Sequence, residues 1–370
     1  MSSQQIIDYV ECIAREGGDV QDVLSYLSLS RHRTDIDVQV ACLEALGTMC
    51  ENNDDNRRRV GDCQGMEVIV EGMKLHSASE VLQQKSCNVL LELCKIDINR
   101  RISARIGVVE IVLDIIRSHK SDCYGATYAC LVLCRLSLDE EGRRLIGDSD
   151  GIGLLCNIIG DACTSEFLKG TTCMTLGCVC LDNPKNKRAA GIMDAIGVLS
   201  NAMKNHYASE DVQRHACETL AFLCSDHTNK TLARNAGAIS ITIAAMNIHK
   251  TSTEVQIHGC YALGRICKDH SSNKSSVVVK ENAIPTIVKA MRSNMSSETL
   301  QQRGCMALLC MCDGNDDNKR AARRCGALSI IKRIKRKYES SSIDTSDLHK
   351  LLLTDKRQRS PLRKLLCMSS

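Results

Sequence analysis

Cysteines at fixed spacing are the residues of this sequence that could most readily do chemistry. Cys87, Cys130, Cys173, Cys217, Cys260 and Cys305 form one column, and Cys50, Cys94, Cys180, Cys224, Cys267 and Cys312 a second. Thiols in number could hold zinc, exchange disulfides or act as nucleophiles. A structural zinc wants C-x2-C elements in pairs, however, and the C-x-C pairs Cys178/Cys180 and Cys310/Cys312 have no second element in register. A disulfide needs Cα atoms within about 7 Å, whereas side-by-side helices lie about 8–10 Å apart. The columns therefore read as small buried apolar residues in a reducing compartment, with no bound metal and no cofactor.

Histidines and an Asn-base dipeptide recur in the same register. His76, His119, His206 and His249 follow one type of segment, and the pairs His215/His258 and His227/His270 sit one repeat apart. That separation is too wide for two rings to share a metal at about 2 Å each, so helix-end capping is expected. Asn56-Arg57, Asn99-Arg100, Asn186-Lys187, Asn229-Lys230, Asn273-Lys274 and Asn318-Lys319 share one position, where the third repeat has Gly142-Arg143. Asn caps helix starts well, and each such Asn is expected to open a short helix. A cation is mildly unfavourable there, so the bases answer something else: Asp139, Asp182, Asp226 and Asp269, a few residues earlier, are candidate partners. Two readings stay open for them, a solvated salt-bridge edge and an anion-binding ladder. No phosphate-cradling Gly loop, H-E-x-x-H or G-x-S-x-G occurs, and an array of repeats offers no enclosed pocket. An enzyme is not expected.

The element that places all these residues is a repeat. Leu46 returns as Leu90, Leu133, Leu176, Leu220, Leu263 and Leu308, at intervals of 43 to 45. Around each lies a segment such as VQVACLEALGTMC from Val38 or VQRHACETLAFLC from Val212, with apolar or small residues at offsets 0, 4, 5, 8, 11 and 12. That spacing is helical. Offset 4 is always compact (Cys42, Ser86, Ala129, Thr172, Ala216, Gly259, Gly304), as close helix approach demands, and a large residue there should overpack the stack. A second helix follows each Asn-base site, as in GAISITIAAM from Gly237, so the unit is three helices: short, medium and long. With no Trp and two Phe among 370 residues, small-residue helix packing must build the core. Repeats of this length cannot cover their own apolar faces alone and must stack.

The order N-[KR], then G-[AI]-I-x-x-[IL], then V-Q-x-x-[AG]-C-x-x-L-x-x-[LI] resembles the armadillo repeat, over about residues 20 to 337. Residues 238 to 274 are especially similar to the armadillo segment of leucine-rich-repeat kinases and of free-standing relatives, although no kinase, GTPase or leucine-rich segment accompanies them. The resemblance implies an all-α, right-handed superhelical solenoid of about seven three-helix repeats whose long helices line a concave, protein-binding groove. Residues 1–34 are expected to form an N-terminal helical cap, 35–337 the array, and 338–370 a basic, Ser-containing C-terminal cap or tail.

If the long helices line a groove, offsets 3, 6, 10 and 13 face outward. Leu131, Leu138, Met174, Cys178 and Leu181 then form an apolar patch, extended by Phe222 and Tyr261, where a partner helix or peptide could dock. The recurring Trp and Asn of importin-α-like proteins are missing there, which argues against an import adaptor. Residues 332–370 carry eleven bases and four acids, more than the whole chain's net +4, so the remainder is acidic. Within this end, Lys356, Arg357, Arg359, Arg363 and Lys364 flank Ser360-Pro361, a place where phosphorylation would reverse the local charge.

The expected function is a non-enzymatic scaffold or adaptor that binds a protein partner and takes no small-molecule substrate. The alternative is a regulatory module docking to acidic membrane or nucleic acid through the tail. Scarce aromatic platforms and an acidic body argue against nucleic acid. The first residues show no leader pattern and no apolar run spans a bilayer, so cytoplasmic residence is expected, with the nucleus as a second location.

Overall fold

The computed structural model describes residues 1–29, 32–118, 124–277, 282–338, 343 and 345–353. Among them every regular element is helical, and the chain divides into two compact units, Met1–Val179 and Cys180–Ser370.

The N-terminal unit opens with α1 (Ser3–Glu16), α2 (Val20–Ser28), α3 (Ile36–Cys50), α4 (Asp54–Asp62), α5 (Gly65–Leu75) and α6 (Glu80–Leu93). It continues with α7 (Asp97–Arg105), α8 (Val108–Ser118), α9 (Tyr124–Leu136), α10 (Glu140–Asp148), α11 (Gly151–Gly160) and α12 (Glu166–Cys180). In the C-terminal unit come α13 (Pro184–Ile192), α14 (Ala195–Asn205), α15 (Glu210–Leu223), α16 (His227–Asn235), α17 (Ala238–Ile248) and α18 (Thr253–Cys267). A single π-turn (Asn273–Val277) takes the place of the next short helix, before α19 (Ala283–Ser293), α20 (Glu298–Cys312), α21 (Asp316–Arg324), α22 (Ala327–Lys337) and α23 (Ser346–Leu353).

Local chemistry explains the punctuation. Long helices start at a side-chain cap: Asp35, Ser79, Ser209, Ser252 and Ser297 accept from the backbone N–H three residues on. Short and medium helices meet at one left-handed residue, among them Gln64, Asp194, Gly237, Asn282 and Gly326. This sharp joint folds the second helix back and favours residues that tolerate positive φ.

Within each unit, every kind of helix packs on its own kind one repeat away. Long α3 meets α6 and α6 meets α9; α15 meets α18 and α18 meets α20. Short α4, α7 and α10 stack in turn, as do medium α5, α8 and α11 and, in the other unit, α14, α17 and α19. At the start, α1 packs on α3 as a preceding long helix would, while α2 takes the medium position beside α5. At the other end, α23 lays Leu348, Leu351 and Leu352 against α20, α21 and α22.

The core is the one the repeat implied. Offsets 0, 4, 5, 8, 11 and 12 of the long segments are buried in every repeat, and Leu46, Leu90, Leu133, Leu176, Leu220 and Leu263 are wholly so. Crowding at offset 4 is direct: a Cβ on Gly259 would lie 2.5 Å from Met246 Cγ, and one on Gly304 2.6 Å from Met291 Cγ. The column cysteines sit in this seam, where burial pushes Cys42, Cys50, Cys130, Cys173, Cys217, Cys224, Cys305 and Cys312 up to about 12.

Candidate functional site

Two buried polar ladders hold the long helices in place. The first is a glutamine at offset 1. Gln39, Gln83, Gln213, Gln256 and Gln301 are buried, and the amide of each donates twice, for example from Gln256 to Met246 O (2.8 Å) and His249 O (2.9 Å). Each glutamine thereby closes the end of its own repeat's medium helix, whose last carbonyls lack partners. In the fourth repeat Lys169 stands at this position, buried, with Nζ on Ile159 O (3.0 Å) and Asp161 O (2.5 Å), and burial holds its pKa below the ordinary lysine value.

The second ladder corrects the capping expectation. Asn99, Asn229, Asn273 and Asn318 are not caps but buried cross-links. Asn318 Nδ2 donates to Met311 O (2.8 Å) at the end of the preceding long helix and to Lys274 O (2.9 Å) one repeat back. Asn99 bridges Leu93 O and Arg57 O, Asn229 bridges Leu223 O and Lys187 O, and Asn273 bridges Ile266 O and Lys230 O. The caps are residues upstream, Asn53, Asn183, Asp226 and Asn315. Capping satisfies one local N–H, whereas an amide carrying two N–H donors can close two carbonyls in separate repeats. The third repeat has Gly142 because a Cβ there would overlap the Leu136 carbonyl oxygen.

The recurrent bases are likewise not a solvated edge. Arg57, Arg100, Lys230 and Lys274 are buried; Arg57 pairs with Asp54 and, at 3.1 Å, with Glu92 of the next long helix, while the other three run to the C-terminal carbonyls of long helices, their own or the next. Arg100 reaches Cys94 O, Lys95 O and, at 2.9 Å, Asp139 in the following repeat; Lys230 reaches Lys268 O (2.8 Å) and Lys274 Asp313 O (3.0 Å). A cation there meets the negative end of the helix dipole. Asp139 thus serves the base of the preceding repeat, whereas Asp226 caps the short helix of its own.

His76, His206 and His249 are the C-cap residues of their own medium helices, as expected, and two of them also stitch neighbouring turns with their rings. His76 Nε2 bonds Arg33 O (2.5 Å) and His249 Nε2 bonds Tyr207 O (2.8 Å), each one repeat back. His119 lies outside the described residues. His270 accepts from Asn273 N–H at Nδ1 (3.3 Å) and meets the Thr231 hydroxyl at Nε2 (3.1 Å), so it is neutral with its proton on Nε2. Among the described residues no three His, Cys, Asp or Glu side chains converge as a metal would require.

What remains at the surface is the outer face of the long helices. In the N-terminal unit Leu131, Met174 and Cys178 are half-buried and Leu138 is exposed (53%). The same unit has a cavity of about 480 Å³ between α3 and α6, lined by Glu44, Glu51 and Glu92 against the single base Lys85, which pairs with Glu44 (2.5 Å). In the C-terminal unit Leu181, Phe222 and Tyr261 are half-buried; the two rings meet edge to face at 6.0 Å, and the Arg303 guanidinium lies 3.9 Å above the Tyr261 ring. Beside them a smaller cavity, about 110 Å³, is walled by Arg265, Lys268, Arg303 and Met306. Among the described residues those three cations form no ion pair, and Arg265 Nε is buried without a partner. Nearby, burial pushes the Glu218 carboxyl up, but His215, 3.9 Å away, and the charge of His258 outweigh it and hold the pKa low. Burial, in turn, lowers His258.

Not every outward offset faces out. Ala41, Thr171 and Cys310 are buried. α1 packs on α3, the Thr171 hydroxyl folds back on Phe167 O (3.0 Å), and Cys310 is short enough to sink between the stems of Arg265 and Lys268, with which it shares a wall. The cationic cluster escaped sequence reading because its members occupy three different offsets. The tail residues Lys356, Arg357, Arg359, Arg363 and Lys364, with Ser360-Pro361, lie outside the described residues.

No family model and no curated protein matches this chain. Solved structures do. It is similar to an engineered protein from a structural-genomics programme (TM-score 0.70, 16% identity, 95% of this chain and 92% of that one). A designed armadillo repeat protein matches with TM-score 0.55 and 16% identity over 65% of this chain and 96% of its own. A chain from a study of a phosphorylation switch controlling the cadherin–β-catenin interaction matches with TM-score 0.68 and 15% identity, covering 95% of this chain and 63% of that one. The fold is an armadillo-like helical repeat.

Proposed function

We propose that this protein is a non-enzymatic scaffold that binds a segment of another protein along the outer face of its long helices. The observation that carries the reading is a division of labour on one helix. Offsets facing the stack are buried in every repeat, while offsets 6 and 13 are half-buried or exposed in every repeat and bear Leu131, Leu138, Met174 and Tyr261. Half-exposed leucine and methionine on a surface already held rigid by buried ladders offer apolar area to a partner at little ordering cost. The armadillo-like fold supports this reading, since one of its structural neighbours comes from a study of cadherin binding to β-catenin. Thiol columns kept as buried cysteines fit a reducing compartment, so we place the protein in the cytoplasm, with the nucleus as a second location.

The test pairs Leu131→Asp with Met174→Asp in the full chain. Cross-linked partners captured by the wild type should be lost while far-ultraviolet circular dichroism stays unchanged. Unchanged capture by the double variant would refute the assignment of this face.

A further inference from the structure

Cys134 and Cys178 do not belong to the buried columns. Cys134 stands at offset 9 of α9 and Cys178 at offset 10 of α12, 44 residues later, and both are half-buried at the outer face. Their Sγ atoms lie 3.3 Å apart in an S–H···S contact across adjacent repeats. The approach is enforced from below: Thr175 Oγ1 donates to Cys130 O (3.0 Å) and Cys130 Sγ contacts Thr172 Oγ1 (3.7 Å), pinning α9 to α12 one turn away. Most other described thiols are sealed in the seam, where burial suppresses the thiolate and excludes an oxidant.

We infer that Cys134 and Cys178 form a dithiol site that hydrogen peroxide converts to a reversible disulfide, stapling the third long helix to the fourth. One thiolate attacks a peroxide oxygen; the O–O bond breaks, leaving a sulfenic acid and a hydroxide that takes a proton to become water. The second thiol attacks the sulfenic sulfur and expels a second water. Two thiols thus lose two electrons and two protons, and one peroxide becomes two waters. The sulfurs must close from 3.3 Å to about 2.05 Å. The site would not be found from the cysteine columns, since neither residue belongs to one. It stands whether or not the face binds a partner.

The experiment treats the reduced full-length protein with one equivalent of hydrogen peroxide, alkylates it, and maps the digest without reductant by fragmenting mass spectrometry. The expected product is a Cys134–Cys178 cross-link, with the whole protein lighter by two hydrogens, helicity retained, and reversal by dithiothreitol. In Cys134→Ser the cross-link should vanish and Cys178 should instead accumulate a dimedone-trapped sulfenic acid. The inference is overturned if oxidation falls on the exposed Cys12 or Cys163 instead, if column cysteines scramble, or if Cys134→Ser loses the same two hydrogens as the wild type.

Discussion

Replacing Asn318 by alanine tests how successive repeats are held together. The side chain is fully buried, and its amide supplies both Lys274 O (2.9 Å) and Met311 O (2.8 Å). Removing it leaves two buried carbonyls without that donor, about 1.5–2 kcal/mol each, so about 3–4 kcal/mol together. Oδ1 of Asn318 is itself buried with no partner, and deleting that orphan acceptor returns about 1 kcal/mol. The net loss is about 2–3 kcal/mol. Asn315→Ala is the matched control on the same helix, since it removes only a cap, at about 1 kcal/mol. Two compact units make a single unfolding free energy ill-defined, so the measurement should be local. Hydrogen exchange followed by mass spectrometry should show amides of α20 and α21 opening roughly 30- to 150-fold faster in Asn318→Ala, and about tenfold or less in Asn315→Ala. Equal effects, or a larger one at Asn315, would refute the cross-link and restore the simpler capping role.

Three further outcomes follow from the same packing. Gly304→Leu should lower the melting temperature through overpacking by about 1–3 kcal/mol, because its Cβ would already lie 2.6 Å from Met291 Cγ and Sδ, and Met291→Ala in the same chain should restore part of the loss. His270 is held neutral, burial lowering its pKa with help from His227, Arg234 and Lys230. A histidine depressed in the folded state leaves the unfolded chain binding more protons below its ordinary pKa of about 6.5, so stability should fall as pH drops from 7.5 to 5.5, with a weaker slope in His270→Gln. Lys169→Gln should be neutral or stabilising in thermal melts, since it restores the amide of the other repeats and removes a buried charge, whereas Lys169→Met should destabilise by leaving Ile159 O and Asp161 O without that donor.

The repeat and its core could be read from sequence because burial acts on every unit alike. Offsets 0, 4, 5, 8, 11 and 12 must be small or apolar seven times over, and such a constraint leaves a period in the chain. The asparagines show where local reasoning stops. In ENNDDNR the first helix-proximal Asn, Asn53, is the cap, while Asn99 and Asn318 at the later position bond across 42 and 44 residues. Helix-start statistics describe the first role and are silent on the second. Likewise the bases looked misplaced beside helix N-termini because their partners, such as Lys268 O for Lys230, sit at the C-terminal ends of helices 38 residues on. Cys134 shows the opposite limit: its contact with Cys178 arises from the side-by-side seating of two helices at unequal offsets, 9 and 10, which no column displays.

Polar ladders in an apolar seam also explain how the outer face is free to vary. Leucine, cysteine and alanine pack against many neighbours with little directional demand, so a stack built of them alone could slip by a turn. Each glutamine and asparagine amide has two donors whose carbonyl partners occur at one register, and a slip would strand them in a dry interior. Register is thereby set from inside, and the surface is released from that task. The long-helix face can then carry three acids against one base around the α3–α6 cavity, and Arg265, Lys268 and Arg303 around the α18–α20 cavity, on the same scaffold. Binding chemistry can therefore differ from one repeat to the next without a change in the repeat that holds it.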